Sequence, residues 1–278
     1  MDTGEESKVT DLAGKKLFLL DMDGTLYLDD RLFTGVREFL ERIRRIGGTY
    51  YFLTNNSSRG IDAYLAKMKR LGLPAGPSDF LTSVDVTIDF LRRERPGRVC
   101  YVLGTASFEK QLREAGIRTV TEPVPETDIL LCGYDTELTY RKLVDASFLL
   151  GQGAEFLATN PDWVCPCSFG YVPDCGSICE MLRRATGRTP RFLGKPEPGM
   201  ALLALRRSGF PAEKAVLIGD RVYTDIACAV KAGIDSILVL SGEGVVSDCE
   251  KYGYTPTRIL DDIAAVYQEI LEEERHLQ

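Results

Sequence analysis

Two aspartates that directly follow a short apolar run are the residues of this chain with the clearest potential for chemistry. Asp21 and Asp23 come after the run Leu17 to Leu20, and Gly24 follows them. Residues two apart in an extended chain point to the same side, so both carboxylates can face one pocket beyond the strand. Gly24 lets the backbone turn sharply and approach a ligand closely. The pattern predicts a paired carboxylate site; a strand-end turn or helix cap is the alternative.

A second polar group follows another apolar run, Tyr50 to Leu53. It consists of Thr54, Asn55 and Asn56, with two serines after them. A hydroxyl, amides and exposed backbone N–H groups ahead of a helix are suited to holding a phosphate. The same residue types would also serve as a helix N-cap, so the phosphate site and the cap are both open at this point.

One lysine and two more aspartates complete the set. Lys195 lies in a loop before a predicted helix, where it can reach inward as a point charge for phosphate, although an isolated lysine is usually solvated. Asp220 ends a predicted strand and Asp225 lies in the first turn of the next helix. Two carboxylates suit a hard cation with oxygen ligands, and helix capping is the alternative. Together the four groups supply a nucleophile, an acid, an anion clamp and a metal site.

The elements that must position these residues alternate between strand and helix along the chain. This alternation predicts an α/β fold with a parallel sheet wrapped by helices. Ligands of such sheets bind beyond the carboxyl ends of the strands, where the polar groups lie. The middle of the chain, from about Ser83 to Arg188, repeats the alternation and is long enough to form a domain of its own.

The composition excludes several classes of partner. The chain has 278 residues, 44% of them hydrophobic, and a formal net charge of -7. It contains no basic block of the type that follows a nucleic-acid backbone, so we expect no nucleic-acid partner. The first residues lack the features of a signal peptide, and the apolar runs are too short to span a bilayer. We therefore expect a cytoplasmic protein with no membrane partner.

The cysteines are predicted to be reduced thiols, because no export signal accompanies them. Cys132 lies inside an apolar run and is expected to behave as a small hydrophobe. Cys165, Cys167, Cys175 and Cys179 have the spacing C-x-C and then C-x3-C, which lacks the paired C-x2-C of common zinc sites. We interpret these four as incidental thiols rather than a zinc site, and the sequence assigns them no role.

The polar motifs resemble those of the haloacid dehalogenase superfamily, in the expected order and over essentially the whole chain. Within that superfamily the sequence looks like the subfamily, called IIA, of NagD, the 4-nitrophenyl phosphatases and the phosphoglycolate phosphatases. This closer resemblance depends on three segments, Leu53 to Ser58, Ala158 to Asp162 and Gly194 to Pro198.

The resemblance implies a Rossmann-like haloacid dehalogenase core with a parallel sheet and an inserted α/β cap domain. The interval from Thr54 to Lys195 is much longer than the interval from Asp23 to Thr54, which is the arrangement the family calls a type C2 cap. We expect residues 1–82 to form the first part of the core, residues 83–188 the cap, and residues 189–278 the second part of the core.

The resemblance also implies a magnesium-dependent phosphomonoester hydrolase that works through an aspartyl-phosphate. Asp21 would attack phosphorus, and Asp23 would protonate the leaving oxygen and then activate water. The residues expected to hold the phosphoryl oxygens are Thr54, Asn55, Asn56 and Lys195. The expected Mg²⁺ ligands are Asp21, Asp220, Asp225, directly or through water, and Asp23 through its backbone carbonyl. The cap residues expected to help choose the substrate are Asn160 and Asp162.

Two other functions use the same aspartate. A phosphoryl transferase or mutase would pass the phosphoryl group to another acceptor, and a noncatalytic switch would be phosphorylated by a partner. The long cap and Asp23 favour the hydrolase, since a switch needs neither enclosure nor an acid for the leaving group. The substrate is expected to be a small phosphorylated metabolite: a sugar phosphate, a nucleoside monophosphate, phosphoglycolate and pyridoxal phosphate all fit. A homodimer is compatible with the sequence.

Overall fold

The computed structural model describes residues 11–167 and 169–276. Residues 1–10, on which the prediction of no signal peptide depends, and residues 277–278, the end of the predicted second core segment, lie outside the described residues. The chain divides into two compact units: the first holds the described residues up to Tyr51 and from Leu205 onward, and the second holds Phe52–Ala204. The predicted domain boundaries after residues 82 and 188 stay predictions.

Strands and helices alternate along almost the whole described chain. The strands are β1 (Leu17–Asp21), β2 (Tyr27–Leu28), β3 (Arg31–Leu32), β4 (Thr49–Thr54), β5 (Phe80–Thr82), β6 (Val99–Leu103), β7 (Arg118–Val120), β8 (Ile129–Cys132), β9 (Glu155–Ala158), β10 (Val164–Cys167), β11 (Gly170–Pro173), β12 (Arg191–Phe192), β13 (Ala215–Gly219), β14 (Asp235–Val239) and β15 (Arg258–Leu260). The α-helices are α1 (Val36–Arg45), α2 (Ile61–Arg70), α3 (Ser83–Glu94), α4 (Ala106–Glu114), α5 (Tyr140–Gly151), α6 (Cys175–Thr186), α7 (Gly199–Ser208), α8 (Ala227–Ala232), α9 (Ser247–Tyr252) and α10 (Ile263–His276).

The helices that the structure describes include none with both the length and the apolar character needed to cross a membrane. The expected cytoplasmic location and the homodimer stay predictions.

The first unit contains a parallel run of strands in the order β15, β14, β13, β1. Leu17 lies opposite Ala215 and Leu20 lies opposite Ile218, so β1 and β13 end together. The apolar residues of both strands are buried, which explains their continuous apolar runs. Because parallel strands share one carboxyl edge, the polar residues that follow β1 and β13 emerge side by side.

The segment after β13 differs from the predicted helix with Asp225 in its first turn. A π-helical turn, Val222–Ile226, comes first, and Arg221 is the residue that begins it. The carbonyl of Arg221 accepts from the N–H groups of both Asp225, at 2.9 Å, and Ile226, at 3.3 Å. One carbonyl therefore serves two successive amides, which widens the turn, and such turns are frequent at functional sites.

The second unit contains a five-stranded parallel sheet in the order β12, β9, β8, β6, β7. Alternate residues of its strands enter two separate hydrophobic clusters, as the two-residue period of a strand requires. Tyr101 and Cys132 belong to the cluster that also contains residues of α5 and α6. Cys100 and Leu131 belong to the cluster that contains residues of α3 and α4. The sheet is therefore covered by helices on both faces.

Candidate active site

Three carboxylates gather at the carboxyl edge of the strands of the first unit. One carboxylate oxygen each from Asp21, Asp220 and Asp225 lies within 4.8 Å of the others. Asp220 and Asp225 are buried, and Asp21 is partly exposed. Asp21 ends β1, Asp220 follows the last residue of β13, and Asp225 belongs to the π-helical turn. We call these three residues the carboxylate cluster.

Two glycines allow the backbone to lie close against the carboxylate of Asp220. Gly24 has a φ of 82°, which residues with a Cβ rarely adopt, and a Cβ there would lie 2.5 Å from Asp220 Oδ2. A Cβ on Gly242 would lie 2.0 Å from the same oxygen. The main-chain N–H of Glu243 donates to this oxygen over 2.9 Å. The glycines therefore form a close backbone cradle that orients Asp220.

A partly buried guanidinium balances part of the negative charge in the cluster. Arg221 forms a two-point ion pair with Glu243, with N···O distances of 2.9 and 3.2 Å. Burial lowers the pKa of Arg221, but the charges of Asp21 and Asp220 raise it, and the net result lies above the ordinary value. Sequence reasoning gave Arg221 no role, although its position between two predicted metal ligands could have indicated one.

The donor set of the carboxylate cluster fits a hard divalent cation. Mg²⁺ takes oxygen ligands and is commonly held by carboxylates together with water. Carboxylates at these separations repel each other by about 3 to 4 kcal/mol per pair at an effective dielectric of 20, and a bound cation would offset that repulsion. The structure thus brings together Asp21, Asp220 and Asp225, which the sequence predicts as Mg²⁺ ligands, while the part of the Asp23 carbonyl stays a prediction.

Asp23, the predicted acid, has an exposed side chain just beyond β1. The hydroxyl of Tyr27 donates to Asp23 Oδ2 over 3.3 Å, and the Gly24 N–H donates to the Tyr27 carbonyl over 2.8 Å. The tight turn therefore carries Asp23 away from the buried strand and gives its carboxylate a hydrogen-bond partner. An exposed carboxylate at this position can exchange a proton with a substrate or with water.

In the second unit, Asn55 and Lys195 are joined by a two-point hydrogen bond. Asn55 Nδ2 donates to the Lys195 carbonyl over 2.9 Å, and the Lys195 N–H donates to Asn55 Oδ1 over 2.9 Å. A Cβ on Gly194 would lie 2.7 Å from Asn55 Oδ1, so this glycine permits the close approach. The side chain of Asn55 thus fixes the main chain of Lys195, a use that the sequence did not predict.

The amide of Asn55 also connects to the predicted cap residues. Its Nδ2 donates to Asp162 Oδ2 over 3.0 Å, and Asn160 Nδ2 donates to the same carboxylate oxygen over 3.0 Å. Asn160 is fully buried and also donates to Asp174 Oδ1 over 3.3 Å. Burial raises the pKa of Asp174 to about 7. Asp174, which sequence reasoning missed, is the N-cap of α6, and an aspartate before a helix is the signal that could have found it.

The remaining polar residues of this segment shape the loop after β4. Thr54 Oγ1 accepts from the Asn56 N–H over 3.2 Å, and Asn56 Oδ1 accepts from the Ser58 N–H over 2.9 Å. Helix α2 begins at Ile61 with Gly60 as its N-cap. The alternative that the Thr54 to Ser58 run caps this helix is therefore wrong, and its side chains order the loop instead.

The predicted site residues thus lie in two groups, each within one unit. The first group is the carboxylate cluster with Asp23 on the adjoining turn. The second is a hydrogen-bonded network of Asn55, Asn160 and Asp162 with the main chain of Lys195. Thr54 and Asn56 belong to the loop that carries Asn55.

Comparison with known proteins identifies the family. A family model described as haloacid dehalogenase-like hydrolase matches residues 18–118, and a second, HAD-hydrolase-like model matches residues 192–266. An acid sugar phosphatase from Staphylococcus aureus (strain MRSA252) is 31% identical over 255 residues, which cover 92% of this chain and 98% of the relative. The chain belongs to the haloacid dehalogenase-like hydrolases.

Solved structures agree with this membership. A 4-nitrophenylphosphatase from Thermotoga maritima superposes with a TM-score of 0.87 at 36% identity, covering 93% of this chain and 98% of that one. A glycerol phosphate phosphatase from Mycobacterium tuberculosis, in complex with magnesium, superposes with a TM-score of 0.85 at 30% identity, covering 92% and 78%. The predicted family, the α/β fold class with core and cap, and the enzyme class of a haloacid dehalogenase-type phosphatase are confirmed.

Proposed function

We propose that this haloacid dehalogenase-like hydrolase cleaves small phosphorylated metabolites with Mg²⁺ as its cofactor, through an aspartyl-phosphate on Asp21. The carboxylate cluster carries the proposal, because it combines a carboxylate at a strand end with two buried carboxylates suited to a hard cation. The magnesium complex of the glycerol phosphate phosphatase supports this choice of metal.

The reaction has two steps, formation of the aspartyl-phosphate and its hydrolysis. Asp21 attacks phosphorus with a carboxylate oxygen, the bond from phosphorus to the leaving oxygen breaks, and Asp23 gives that oxygen a proton. Asp23 then takes a proton from water as the water attacks the aspartyl-phosphate, which releases inorganic phosphate and the free Asp21 carboxylate. Bound Mg²⁺ supplies positive charge that stabilises the transferring phosphoryl group.

The second group supplies the anion clamp. Lys195 and the hydroxyl of Thr54 hold the phosphoryl oxygens, with the main chain of the loop at Asn55 and Asn56 nearby. The side chain of Asn55 acts indirectly, since both of its amide hydrogens already bond to the Lys195 carbonyl and to Asp162. Its part is to keep Lys195 in place.

Sugar phosphates are the first substrate class to test. The Staphylococcus aureus relative is named an acid sugar phosphatase, and the Mycobacterium tuberculosis neighbour is named a glycerol phosphate phosphatase. Asn160 and Asp162 contribute to substrate choice, because Asp162 accepts hydrogen bonds from both Asn55 and Asn160 and so ties the segment before the β10–β11 hairpin to the phosphate loop. Nucleoside monophosphates, phosphoglycolate and pyridoxal phosphate complete the panel.

The test is phosphate release from 4-nitrophenyl phosphate and from this panel, with Mg²⁺ and with EDTA. It compares the native chain, Asp21→Asn and the control Asp261→Asn, which removes an exposed carboxylate just after β15. We expect release that needs Mg²⁺, that disappears in Asp21→Asn and that persists in Asp261→Asn.

Other outcomes would point to the two rival functions. Transfer of the phosphoryl group to a sugar without free phosphate would indicate a transferase or mutase. A phospho-aspartate that persists for hours would indicate a switch. Release that is unchanged in Asp21→Asn would contradict the proposed mechanism.

A further inference from the structure

Three cysteine sulfurs converge inside the second unit, beside the network of Asn55, Asn160 and Asp162 but not part of it. The Sγ atoms of Cys132, Cys175 and Cys179 lie within 4.8 Å of one another, and those of Cys175 and Cys179 are 4.0 Å apart. The three residues are free thiols with at most 1% of their surface exposed. We call them the thiol cluster.

Two elements bring these sulfurs together. Cys132 is the last residue of β8, and Cys175 and Cys179 are one helical turn apart at the start of α6. Residues four apart on a helix lie on the same face, so both thiols of α6 point at the end of the strand. The sequence places Cys132 far from the other two, and its spacing therefore gave no sign of this group.

The position of Cys175 favours a thiolate there. It is the first residue of α6, where the helix dipole and the free N–H groups stabilise negative charge. Burial opposes ionisation, but hydrogen bonds from the thiols of Cys132 and Cys179 hold the pKa of Cys175 below its ordinary value. The hydroxyl of Thr159 also donates to Cys175 Sγ over 3.7 Å. Of the three thiols, Cys175 therefore has the surroundings that most favour loss of its proton.

The separation of the Cys175 and Cys179 sulfurs is compatible with a shared metal ion and too long for a disulfide. A zinc ion with bonds to sulfur of 2.3 Å and tetrahedral angles holds its sulfurs about 3.8 Å apart. The separation of 4.0 Å between Cys175 and Cys179 is close to that value. A disulfide needs a separation of about 2 Å, roughly half of what the structure shows.

We propose that Cys132, Cys175 and Cys179 bind a thiophilic cation with a filled d shell, Zn²⁺ or Cu⁺, as three thiolates. The cation replaces the protons that the three sulfurs carry, so binding releases those protons to solvent and leaves the sulfur oxidation state unchanged. Cu⁺ can be held by three thiolates alone, whereas Zn²⁺ takes a fourth ligand, such as water or the Thr159 oxygen.

Simple packing is the other explanation, since a buried cysteine can serve as a small hydrophobe. Cys100 is the example in this chain: it is fully buried in β6 and belongs to a cluster of described residues in which it is the one cysteine. It therefore provides a matched control, because its loss removes a buried thiol from the same unit without touching the thiol cluster.

The bound cation would also fix the start of α6. Cys175 follows Asp174, whose carboxylate accepts from Asn160 over 3.3 Å. The Gly176 N–H donates to the Asp162 carbonyl over 2.8 Å, and a Cβ on Gly176 would lie 2.2 Å from the Pro161 carbonyl. We expect occupancy of the thiol cluster to raise the thermal stability of the chain, because the cation binds only the folded arrangement.

The experiment titrates the full reduced chain with Co²⁺ in an excess of Mg²⁺, which keeps the carboxylate cluster filled. Thiolate-to-cobalt charge-transfer absorption in the near ultraviolet reports binding to sulfur alone. We expect about one equivalent to bind to the native chain and to Cys100→Ser, and binding at least about tenfold weaker in Cys175→Ser and Cys179→Ala. Displacement of Co²⁺ by Zn²⁺ or by Cu⁺ then shows which cation the cluster holds.

Thermal unfolding gives a second readout that does not depend on cobalt absorption. We expect Tm to rise with Zn²⁺ or Cu⁺ and to fall again with a chelator, while Cys175→Ser shows no response. The proposal is overturned if the native chain gives no charge-transfer absorption and its Tm does not change with Co²⁺, Zn²⁺ or Cu⁺. It is also overturned if Cys175→Ser, shown to be folded by circular dichroism, binds Co²⁺ as the native chain does.

Discussion

Replacing Gly24 by alanine is expected to displace the carboxylate of Asp220. Gly24 has a φ of 82°, and an added Cβ would lie 2.5 Å from Asp220 Oδ2 and 3.0 Å from the Cα of Gly242. The Asp220 carboxylate accepts a hydrogen bond of 2.9 Å from the Glu243 N–H. It cannot move aside without breaking this bond. The substitution therefore acts on a predicted metal ligand without removing any functional group.

Two costs in folding free energy add in Gly24→Ala. A residue with a Cβ in the left-handed region costs about 1 to 2 kcal/mol, and a steric contact in a packed site adds about 1 to 3 kcal/mol. Gly47→Ala is the matched control, because Gly47 has a φ of 70° but a Cβ there would have no heavy atom within 4 Å. We expect both variants to lose stability, Gly24→Ala by about 2 to 5 kcal/mol and Gly47→Ala by about 1 to 2 kcal/mol.

Activity separates the two variants more sharply than stability does. We expect Gly24→Ala to need at least about tenfold more Mg²⁺ for half-maximal phosphate release, because a lost or misplaced carboxylate ligand weakens the site. Gly47→Ala should keep the native requirement for Mg²⁺. Chemical denaturation gives the free energies of unfolding. Titration of phosphate release with Mg²⁺ gives the concentration needed for half-maximal activity. A Gly24→Ala variant with the same magnesium requirement as Gly47→Ala would refute the reasoning.

Three further substitutions test single residues. Asp23→Asn is expected to lower kcat by about 10² to 10⁴ while Mg²⁺ affinity, measured by calorimetry, stays within about twofold; unchanged turnover would remove the role of acid. Asn55→Ala leaves the buried main-chain groups of Lys195 without their Asn55 partner, so we expect the free energy of unfolding to fall by about 1 to 3 kcal/mol and KM to rise; an unchanged KM would remove the role of Asn55 in placing Lys195. Arg221→Gln removes a cation that faces the carboxylate cluster, so we expect half-saturation at lower Mg²⁺ and a lower Tm in EDTA; a higher magnesium requirement would show that Arg221 has another part.

The sequence is informative wherever a continuous apolar run ends in a polar group. The runs at Leu17 and Ala215 predict buried parallel strands, and in the structure the two strands pair with Leu20 opposite Ile218. Asp21 and Asp220 could therefore be predicted as neighbours, since strands that end together bring the residues after them to one edge. The sequence alone reveals such strands because a strand that is buried on both faces is a continuous run of apolar residues.

Features that depend on one side chain bonding to a distant main chain could not be predicted in this way. The amide of Asn55 is committed to Lys195, 140 positions away, and nothing in the local pattern around Asn55 distinguishes this use from a phosphate ligand. The π-helical turn before α8 likewise depends on one carbonyl accepting twice, which residue propensities do not encode. The convergence of Cys132 with Cys175 needs the end of a strand and the start of a helix to meet, and only tertiary structure supplies that information.

The most direct test of the account is to identify the residue that carries the phosphoryl group. The native chain and Asp23→Asn are mixed with radiolabelled 4-nitrophenyl phosphate and Mg²⁺, quenched in acid within one turnover, and digested for peptide mapping. We predict a label that survives acid, is lost in alkali as an acyl phosphate is, and lies on the peptide that contains Asp21. Turnover with no protein-bound label, or a label on another residue, would contradict the assignment of Asp21 as the nucleophile.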